Sequence, residues 1–236
     1  GNKFHAGSLV SKGSSALGLN FRIGGFIRDA IGGNDATFAS IMATEDNTTI
    51  TYTGNSPFSV NLNEGESYII AAQGEFASDI IGGLISSDKP IVVNSGSATG
   101  SFGDRTNNSD YGFDQIVGAS KIGTEYILVK GNGDVVEKAL IIAHEDNTEI
   151  FVNGVSVGTT NSGNYHVTNL GNYNTNGNMY INTSKPVFVY QGVGGTTSQA
   201  NQGMFFVPPL SCENKGDVNN IASIDKSGSA SFPGGV

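Results

Sequence analysis

One short segment occurs twice in this chain, and the repeat limits the folds open to it. Residues 43–50 read Ala-Thr-Glu-Asp-Asn-Thr-Thr-Ile, and residues 143–150 read Ala-His-Glu-Asp-Asn-Thr-Glu-Ile. An apolar run precedes each copy, and an alternating run follows it. Asp and Asn favour turns, because they tolerate left-handed backbone and bond to their own main chain. Each copy is therefore predicted to form a β-hairpin.

The duplication extends beyond this segment. Residues 86–93, Ser-Ser-Asp-Lys-Pro-Ile-Val-Val, return at 182–189 as Asn-Thr-Ser-Lys-Pro-Val-Phe-Val. A repeat of this size predicts two copies of one module, each of about a hundred residues. We place a first β module at 1–119, a second at 120–214, and the start of a truncated third repeat at 215–236. The Lys-Pro pair is predicted to be a turn before a buried strand. Residues 65–72 and 80–85 are predicted to form two further short strands, and Asn153-Gly154 is predicted to be the turn of a β-hairpin.

The composition and the periodicity indicate an all-β protein. The chain has 34 glycines in 236 residues, about twice the average usage, and they follow no collagen-like period. Short runs rich in Val, Ile, Tyr, Phe and Thr alternate with turn residues, and no apolar helical spacing is sustained. About seven short strands per repeat predict β-sandwich-like modules. A β-propeller is the alternative, since duplicated modules of short strands also suit radial closure.

Charge and cysteine content exclude several classes of function. The net charge is −9, and the 12 Lys and Arg residues are scattered, so the sequence predicts no nucleic-acid partner. The single cysteine, Cys212, excludes an internal disulfide framework. No apolar run has the length of a membrane span, and no secretory leader pattern is seen at the first residues. The acidic, Asn-, Thr- and Gly-rich composition favours an extracellular protein.

The motifs that resemble catalytic sites lack the structural context that catalysis needs. Residues 154–158, Gly-Val-Ser-Val-Gly, match the nucleophile elbow of serine hydrolases, but that elbow needs a following helix. We interpret Ser156 as an outward-facing strand residue. His5, His144 and His166 have no metal-ligand spacing, and His144 is interpreted as a solvated turn residue. No phosphate-binding loop is present. We therefore predict no enzyme activity and no cofactor-binding residues.

One loop carries a candidate calcium site. Asp104, Asn108, Asp110 and Asp114 lie in a polar stretch in which oxygen-bearing side chains alternate around Gly112. Calcium prefers hard oxygen ligands on a sharply bent backbone. The stretch lacks a terminal bidentate Glu, and Asp is common in ordinary turns. Calcium therefore stands as a hypothesis beside the expectation of no cofactor.

Several motifs together resemble the IgGFc-binding-protein N-terminal domain family. They are the repeated Glu-Asp-Asn-Thr turns, Gly-Glu-Ser-Tyr at 65–68, Leu-Ile-Ser-Ser-Asp-Lys-Pro-Ile-Val-Val at 84–93 and Phe-Val-Pro-Pro-Leu at 206–210. The resemblance covers roughly residues 15–225. It implies a secreted or cell-surface all-β binding or adhesion domain, of the kind found in very large bacterial extracellular proteins and in a mucus protein of animals. Cys212 stands alone where the animal version is cysteine-rich, which favours a bacterial cell-surface protein.

The sequence therefore predicts a non-catalytic, extracellular binding or structural module that acts in adhesion, with a host protein, a surface protein or a glycan as its partner. One alternative is a carbohydrate-binding or carbohydrate-active unit with Tyr111, Tyr165, Tyr173 and Tyr190 as sugar platforms. Another is a filament or sheath subunit that self-associates by addition of its C-terminal strand.

Overall fold

A computed structural model describes residues 10–28, 35–103, 109–195 and 202–211. These residues form two seven-stranded β-sheets and four short 3-10 helices, and none of them lies in an α-helix. The prediction of an all-β protein with two similar sandwich-like modules is confirmed. We use module 1 for the sheet within residues 18–116 and module 2 for the sheet within residues 123–207. The predicted third repeat at 215–236 lies outside the described residues.

Both modules contain seven strands. Those of module 1 are β1 (Gly18–Arg22), β2 (Ala36–Ala43), β3 (Thr48–Thr53), β4 (Phe58–Leu62), β5 (Ser67–Gln73), β6 (Leu84–Gly100) and β7 (Asp110–Ile116). Those of module 2 are β8 (Gly123–Val129), β9 (Ala139–Ala143), β10 (Thr148–Val152), β11 (Val155–Thr160), β12 (Tyr165–Val167), β13 (Asn178–Val193) and β14 (Gly203–Val207).

A single long strand connects the two layers of each module. In module 1, residues 84–87 of β6 pair with β3 and β1, and residues 91–97 pair with β2 and β7. Strands β4 and β5 extend the two layers beside β3 and β2. In module 2, the first part of β13 pairs with β10 and β8, and its last part pairs with β9 and β14. This out-of-order pairing around a shared strand gives two-layered modules rather than the separate four-stranded blades of a propeller.

The Lys-Pro pairs lie inside these long strands. Lys89 and Pro90 were predicted to form a turn before a new strand, but β6 continues through them. Residues 88–90 of β6 do not pair with β2, β3 or β7. Proline has no N–H to donate, so it fits where the strand passes from one layer to the other. The predicted strand at 80–85 is also wrong for its first residues, since 77–82 form turns.

The repeated Glu-Asp-Asn-Thr segment is not a hairpin. Strands β2 and β3 lie on either side of this turn, but they pair with different stretches of β6 and not with each other. The turn therefore crosses from one layer to the other, and the same holds between β9 and β10. The predicted left-handed backbone is present, with φ 53° at Asn47 and 55° at Asn147. The hairpin predicted at Asn153-Gly154 is confirmed between β10 and β11.

Both copies of the turn are held by the same bonds. Thr48 Oγ1 donates to the carbonyl of Glu45 at 2.7 Å, and Thr148 Oγ1 donates to that of Glu145 at 2.8 Å. Lys185 Nζ, from the bend of β13, donates to the carbonyl of Asp146 at 2.6 Å, and Lys89 binds the equivalent carbonyl in module 1. The two segments that repeat in the sequence thus contact each other in the fold.

The two modules share a hydrophobic core. Strand β2 alternates between buried and more exposed residues, whereas every residue of β9 is buried. Leu140 and Ile142 on β9 pack into the core of module 1, while Ala139 and Ile141 face the core of module 2. A strand that is buried on both faces has a continuous apolar sequence. This explains why Leu140 occupies the position that Ser40 holds in the first copy.

Three close contacts join the two modules. The ring of Tyr190 lies against Gly24, where an added Cβ would come within 2.4 Å of Cζ, and its hydroxyl donates to the carbonyl of Arg22 at 2.7 Å. The Arg22 guanidinium donates to the carbonyls of Gly82 (2.9 Å) and His144 (3.3 Å). An added Cβ on Gly82 would lie 1.8 Å from the carbonyl oxygen of Gly163.

We predict that Gly82→Ala destabilises the protein much more than Gly65→Ala. Both glycines have positive φ, at 83° and 79°, so both substitutions cost about 1–2 kcal/mol of backbone strain. Nothing lies within 4 Å of an added Cβ at Gly65, whereas at Gly82 the methyl group overlaps module 2. Overpacking adds about 1–3 kcal/mol. Chemical denaturation measures both variants, and equal losses would contradict a tight junction between the modules.

Candidate functional site

An open groove lies between β4 and β5, two of the edge strands of module 1. Strands β4 and β5 end the two layers, and they leave a space of about 530 Å³ between them. The 74–80 segment closes one end of this space through Phe76, Asp79 and Ile80. We call this feature the β5 groove; it is lined by Tyr52, Asn55, Ser56, Phe58, Tyr68, Ile69, Ile70, Ala71, Ala72, Phe76, Asp79 and Ile80.

Aromatic rings line one side of the groove. The centroids of Tyr52 and Phe58 lie 5.6 Å apart, and those of Phe58 and Tyr68 lie 5.3 Å apart. At the rim, Phe76 is 59% exposed and Tyr68 is 37% exposed. The Ile69 side chain points to the opposite face of β5 from Tyr68, because side chains alternate along a regular strand. Apolar side chains that are rimmed by polar residues and exposed in one place mark interaction sites.

The charge around the groove is negative. Asp79 lies on its wall, the exposed Glu66 precedes β5, and the exposed Glu75 follows it. None of the described residues that line the groove is Lys or Arg. Burial raises the pKa of Tyr52, and the carboxylate of Asp79 raises it further. The same two causes raise the pKa of Tyr165, so Asp79 also acts on a residue of module 2.

The backbone of β5 has one unpaired side. Ladder bonds join Gly74 N to Asp35 O at 2.7 Å and Ala43 N to Glu66 O at 3.1 Å, which sets the alternation between β2 and β5. Residues 68, 70 and 72 therefore face β2 with their N–H and C=O groups, and 67, 69, 71 and 73 face away. Within the described part of the chain, β5 pairs with β2 alone. No strand among the described residues therefore occupies the outer side of β5.

Module 2 does not repeat this arrangement. Its counterpart of β5 is β12, which has only three residues. The turn before β12 is covered by module 1, because Gly163 packs on Gly82 and the Arg22 guanidinium donates to Ser162 Oγ. The duplicated sequence has therefore produced two different edges.

The calcium candidates are only partly described. Asp104 and Asn108 lie outside the described residues. Asp110 and Asp114 lie on β7, where their Oδ2 atoms each accept a backbone N–H from module 2, from Gln202 and Phe206, both at 3.1 Å. Lys12 Nζ also bonds to Asp114 at 2.7 Å. These two carboxylates thus join the modules, and calcium stays a prediction.

Metal ligands do not cluster in the part of the chain that the structure covers. Among the described residues, no group of three or more His, Cys, Asp or Glu side chains is placed to hold an ion. His5 and Cys212 fall outside those residues. His166 lies half-buried on β12, and His144 packs beside Phe188 with its Nδ1 buried and without a partner among the described residues. The interpretation of His144 as a solvated turn residue is therefore wrong.

The motif residues occupy structural positions. Ser156 is exposed on β11, and its Oγ lies 3.4 Å from Glu149 Oε1. Strand β11 leads into β12, so the helix that a nucleophile elbow requires does not follow it. Of the four proposed sugar platforms, Tyr173 and Tyr190 are buried, while Tyr111 and Tyr165 are each 38% exposed.

Sequence reasoning did not find the β5 groove. It predicted β5 as a strand, but Tyr52, Phe58 and Tyr68 were not connected because they lie on three different strands. One signal was available. Strand β5 reads Ser-Tyr-Ile-Ile-Ala-Ala-Gln, seven residues without charge, Gly or Pro.

Taken together, these features describe a rigid, two-module β scaffold that offers an open groove on one side. A family model described as IgGFc binding protein matches residues 6–226, and the chain belongs to that family. The resemblance seen in the sequence is confirmed. The family is one of extracellular binding proteins. Comparison with curated proteins gave no match, and comparison with solved structures gave none. The described residues form no helix long and apolar enough to cross a membrane.

We predict that Asp114→Asn destabilises the protein by about 1–3 kcal/mol, because a buried bond to Phe206 N–H and an ion pair to Lys12 are weakened. Thermal unfolding is measured in calcium and in a chelator. We expect the same loss in both, since the partners of Asp114 are protein groups. A loss seen only with calcium would instead make Asp114 a metal ligand.

We predict that acid destabilises the protein partly through His144. Burial lowers the pKa of His144, and the Arg22 cation lowers it further, against a smaller opposing effect of Glu145. The unfolded chain therefore binds more protons, and stability falls as the pH drops below about 6.5. In His144→Thr, the residue of the first copy, the Tm should fall less between neutral and mildly acidic pH. An unchanged pH dependence would contradict the prediction.

Proposed function

We propose that the protein is a non-catalytic binding module of a large extracellular protein and that it acts in adhesion by holding a protein partner in the β5 groove. Membership of the IgGFc-binding family supports a protein partner. The observation that carries the site is the exposure of Tyr68 and Phe76 at the rim of the groove.

The scaffold suits this function. The groove is formed by strands of a module that shares its core with a second module, so its walls are fixed before a partner binds. A preformed apolar surface loses little conformational entropy on binding. Aromatic residues at the centre of such a surface commonly carry most of the binding energy.

We also propose that the protein is secreted and that it belongs to a bacterial cell surface. Adhesion requires the module to be held outside the cell, which supports attachment to the cell surface. The single cysteine, Cys212, supports a bacterial member of the family. The ligand named by the family, the Fc region of IgG, is the first protein to test.

A glycan partner is the second candidate. It rests on the exposure of Tyr111 and Tyr165 and on the tilted aromatic series of Tyr52, Phe58 and Tyr68 in the groove. Sugars stack on such rings, but a sugar site also needs several polar groups that converge on one place. Asp79 and Asn55, joined by a 3.3 Å bond, are the polar pair on the groove wall.

We predict that Tyr68→Ala and Phe76→Ala weaken partner binding, each by roughly thirtyfold in Kd, the effect of losing about 2 kcal/mol at a hot spot. The immobilised chain is exposed to IgG Fc, to a panel of host surface proteins and to a glycan panel. Val155→Ala is the control, because Val155 is 66% exposed on β11 of module 2, away from the groove.

Each result decides between the candidates. Protein binding that both groove variants lose and the Val155 variant keeps supports the proposed function. Glycan binding with the same pattern supports the second candidate. Binding that none of the variants changes would place the site elsewhere. Light scattering on the same samples tests the filament alternative, which requires assemblies larger than one chain.

A further inference from the structure

The open edge of β5 lacks the features that keep other strand edges from pairing. Free edges are usually short, bent by a bulge, interrupted by Pro or marked by charge. Strand β5 has seven residues, with unbroken register to β2 from Ala36↔Gln73 to Met42↔Ser67. None of its residues is charged, Gly or Pro.

Three of the other described edge strands carry such features. Strand β4 follows Pro57 and presents Ser59 and Asn61 on its exposed face. Strand β11 is interrupted by a register shift and by Gly158 at φ 126°. The three residues of β12 are too few for a stable ladder.

Strand β8 has the same length as β5 but is blocked. Leu210 N donates to the carbonyl of Glu125 at 2.8 Å, and the Gln191 side chain donates to the carbonyl of Val129 at 2.6 Å. Both bonds occupy acceptors on the outer side of β8. No such bond reaches Ile69 or Ala71 from any described residue.

We propose that the β5 groove binds an extended segment of a partner protein that adds to β5 as a further strand. This inference rests on the proposed function and names the kind of partner. Ser67, Ile69, Ala71 and Gln73 each offer an outward N–H and C=O to the added strand, and its inward side chains contact Phe58, Tyr68 and Phe76. Main-chain bonds supply affinity in this mode, and side-chain pockets supply specificity.

The charges around β5 indicate which residues the partner segment carries. Glu66 and Glu75 flank β5, Asp79 lies on the groove wall, and the groove has no Lys or Arg among its described lining residues. The partner segment therefore carries apolar or β-branched residues in its middle and Lys or Arg at its ends, where the cations meet these carboxylates.

The same charges argue against a second copy as the occupant. Antiparallel pairing of two β5 strands about Ile70 would place Glu66 of one copy beside residues 74 and 75 of the other, and so bring Glu66 near Glu75. Each chain also carries a net charge of −9. Like charges opposed across a strand pair are destabilising.

The probe is a synthetic peptide of about nine residues, matched to β5 at about 3.3 Å per residue. It has alternating Val and Thr in its middle and two Lys at each end. Binding to the full chain is measured by fluorescence anisotropy at low salt. We expect saturable binding, and at least tenfold weaker binding when the Lys residues are replaced by Glu. The same peptide with N-methyl groups on alternate amides, which removes the donors that face β5, should not bind.

The protein variant is Ala71→Pro, with Ala71→Val as its control. Proline removes an outward N–H that no described residue uses, so the ladder to β2 keeps its bonds. We expect Ala71→Pro to lose peptide binding by at least tenfold and Ala71→Val to keep it. Thermal unfolding shows whether the proline variant is folded. If it is not, the N-methyl peptide decides the question with the unmodified chain.

Several results would overturn the inference. Equal binding of the N-methyl peptide shows that main-chain pairing is not used, and no binding of any peptide removes the proposed occupant. Dimers of the unmodified chain that Ala71→Pro dissociates would make a second copy the occupant. Loss of a protein partner in Phe76→Ala with full binding in Ala71→Pro would leave the proposed function standing without strand addition.

Discussion

The fold depends on two long strands, β6 and β13, each of which belongs to both layers of its module. Four strands of each module pair directly with the long strand. Each of the remaining two strands pairs with a different one of those four. A strand can serve two layers only if it bends, and a bend leaves some backbone groups out of the ladder. The Lys-Pro pair meets this need, since Pro90 has no N–H and Lys89 reaches the carbonyl of Asp46. The layers, the turns between them and the groove all follow from this bend.

Much of this architecture could be predicted from the sequence. The duplication, the all-β class and about seven strands per module were visible in the repeat and in the alternation of apolar residues, and the Asn153-Gly154 hairpin was predicted in detail. The Glu-Asp-Asn-Thr turn was predicted as a turn but assigned the wrong partners. Turn residues indicate that the chain reverses, because their φ values depend on local sequence. The pairing of the flanking strands depends instead on β6, which lies about forty residues further along the chain.

The candidate site was harder to predict for the same reason. Whether β5 is an edge strand or a central strand depends on which neighbour occupies its second side, and no local pattern records that. The contacts of Asp110 and Asp114 were equally out of reach. Their alternation made them calcium candidates in the sequence, and in the fold their carboxylates accept the N–H groups of 202 and 206 from the other module. Oxygen-bearing side chains suit both a metal and a backbone N–H, so the sequence alone does not specify the contact with the other module.

The contact of Gly82 with Gly163 has a consequence for how such a protein evolves. Duplication begins with interchangeable copies, but here each copy has become the complement of the other. The second supplies Leu140 and Tyr190, the first supplies Gly24 and Arg22, and neither set fits a twin of itself. Recombination that replaced one copy by the other would remove half of the junction. The heritable unit is therefore the pair, and an array built from this sequence grows by two modules at a time.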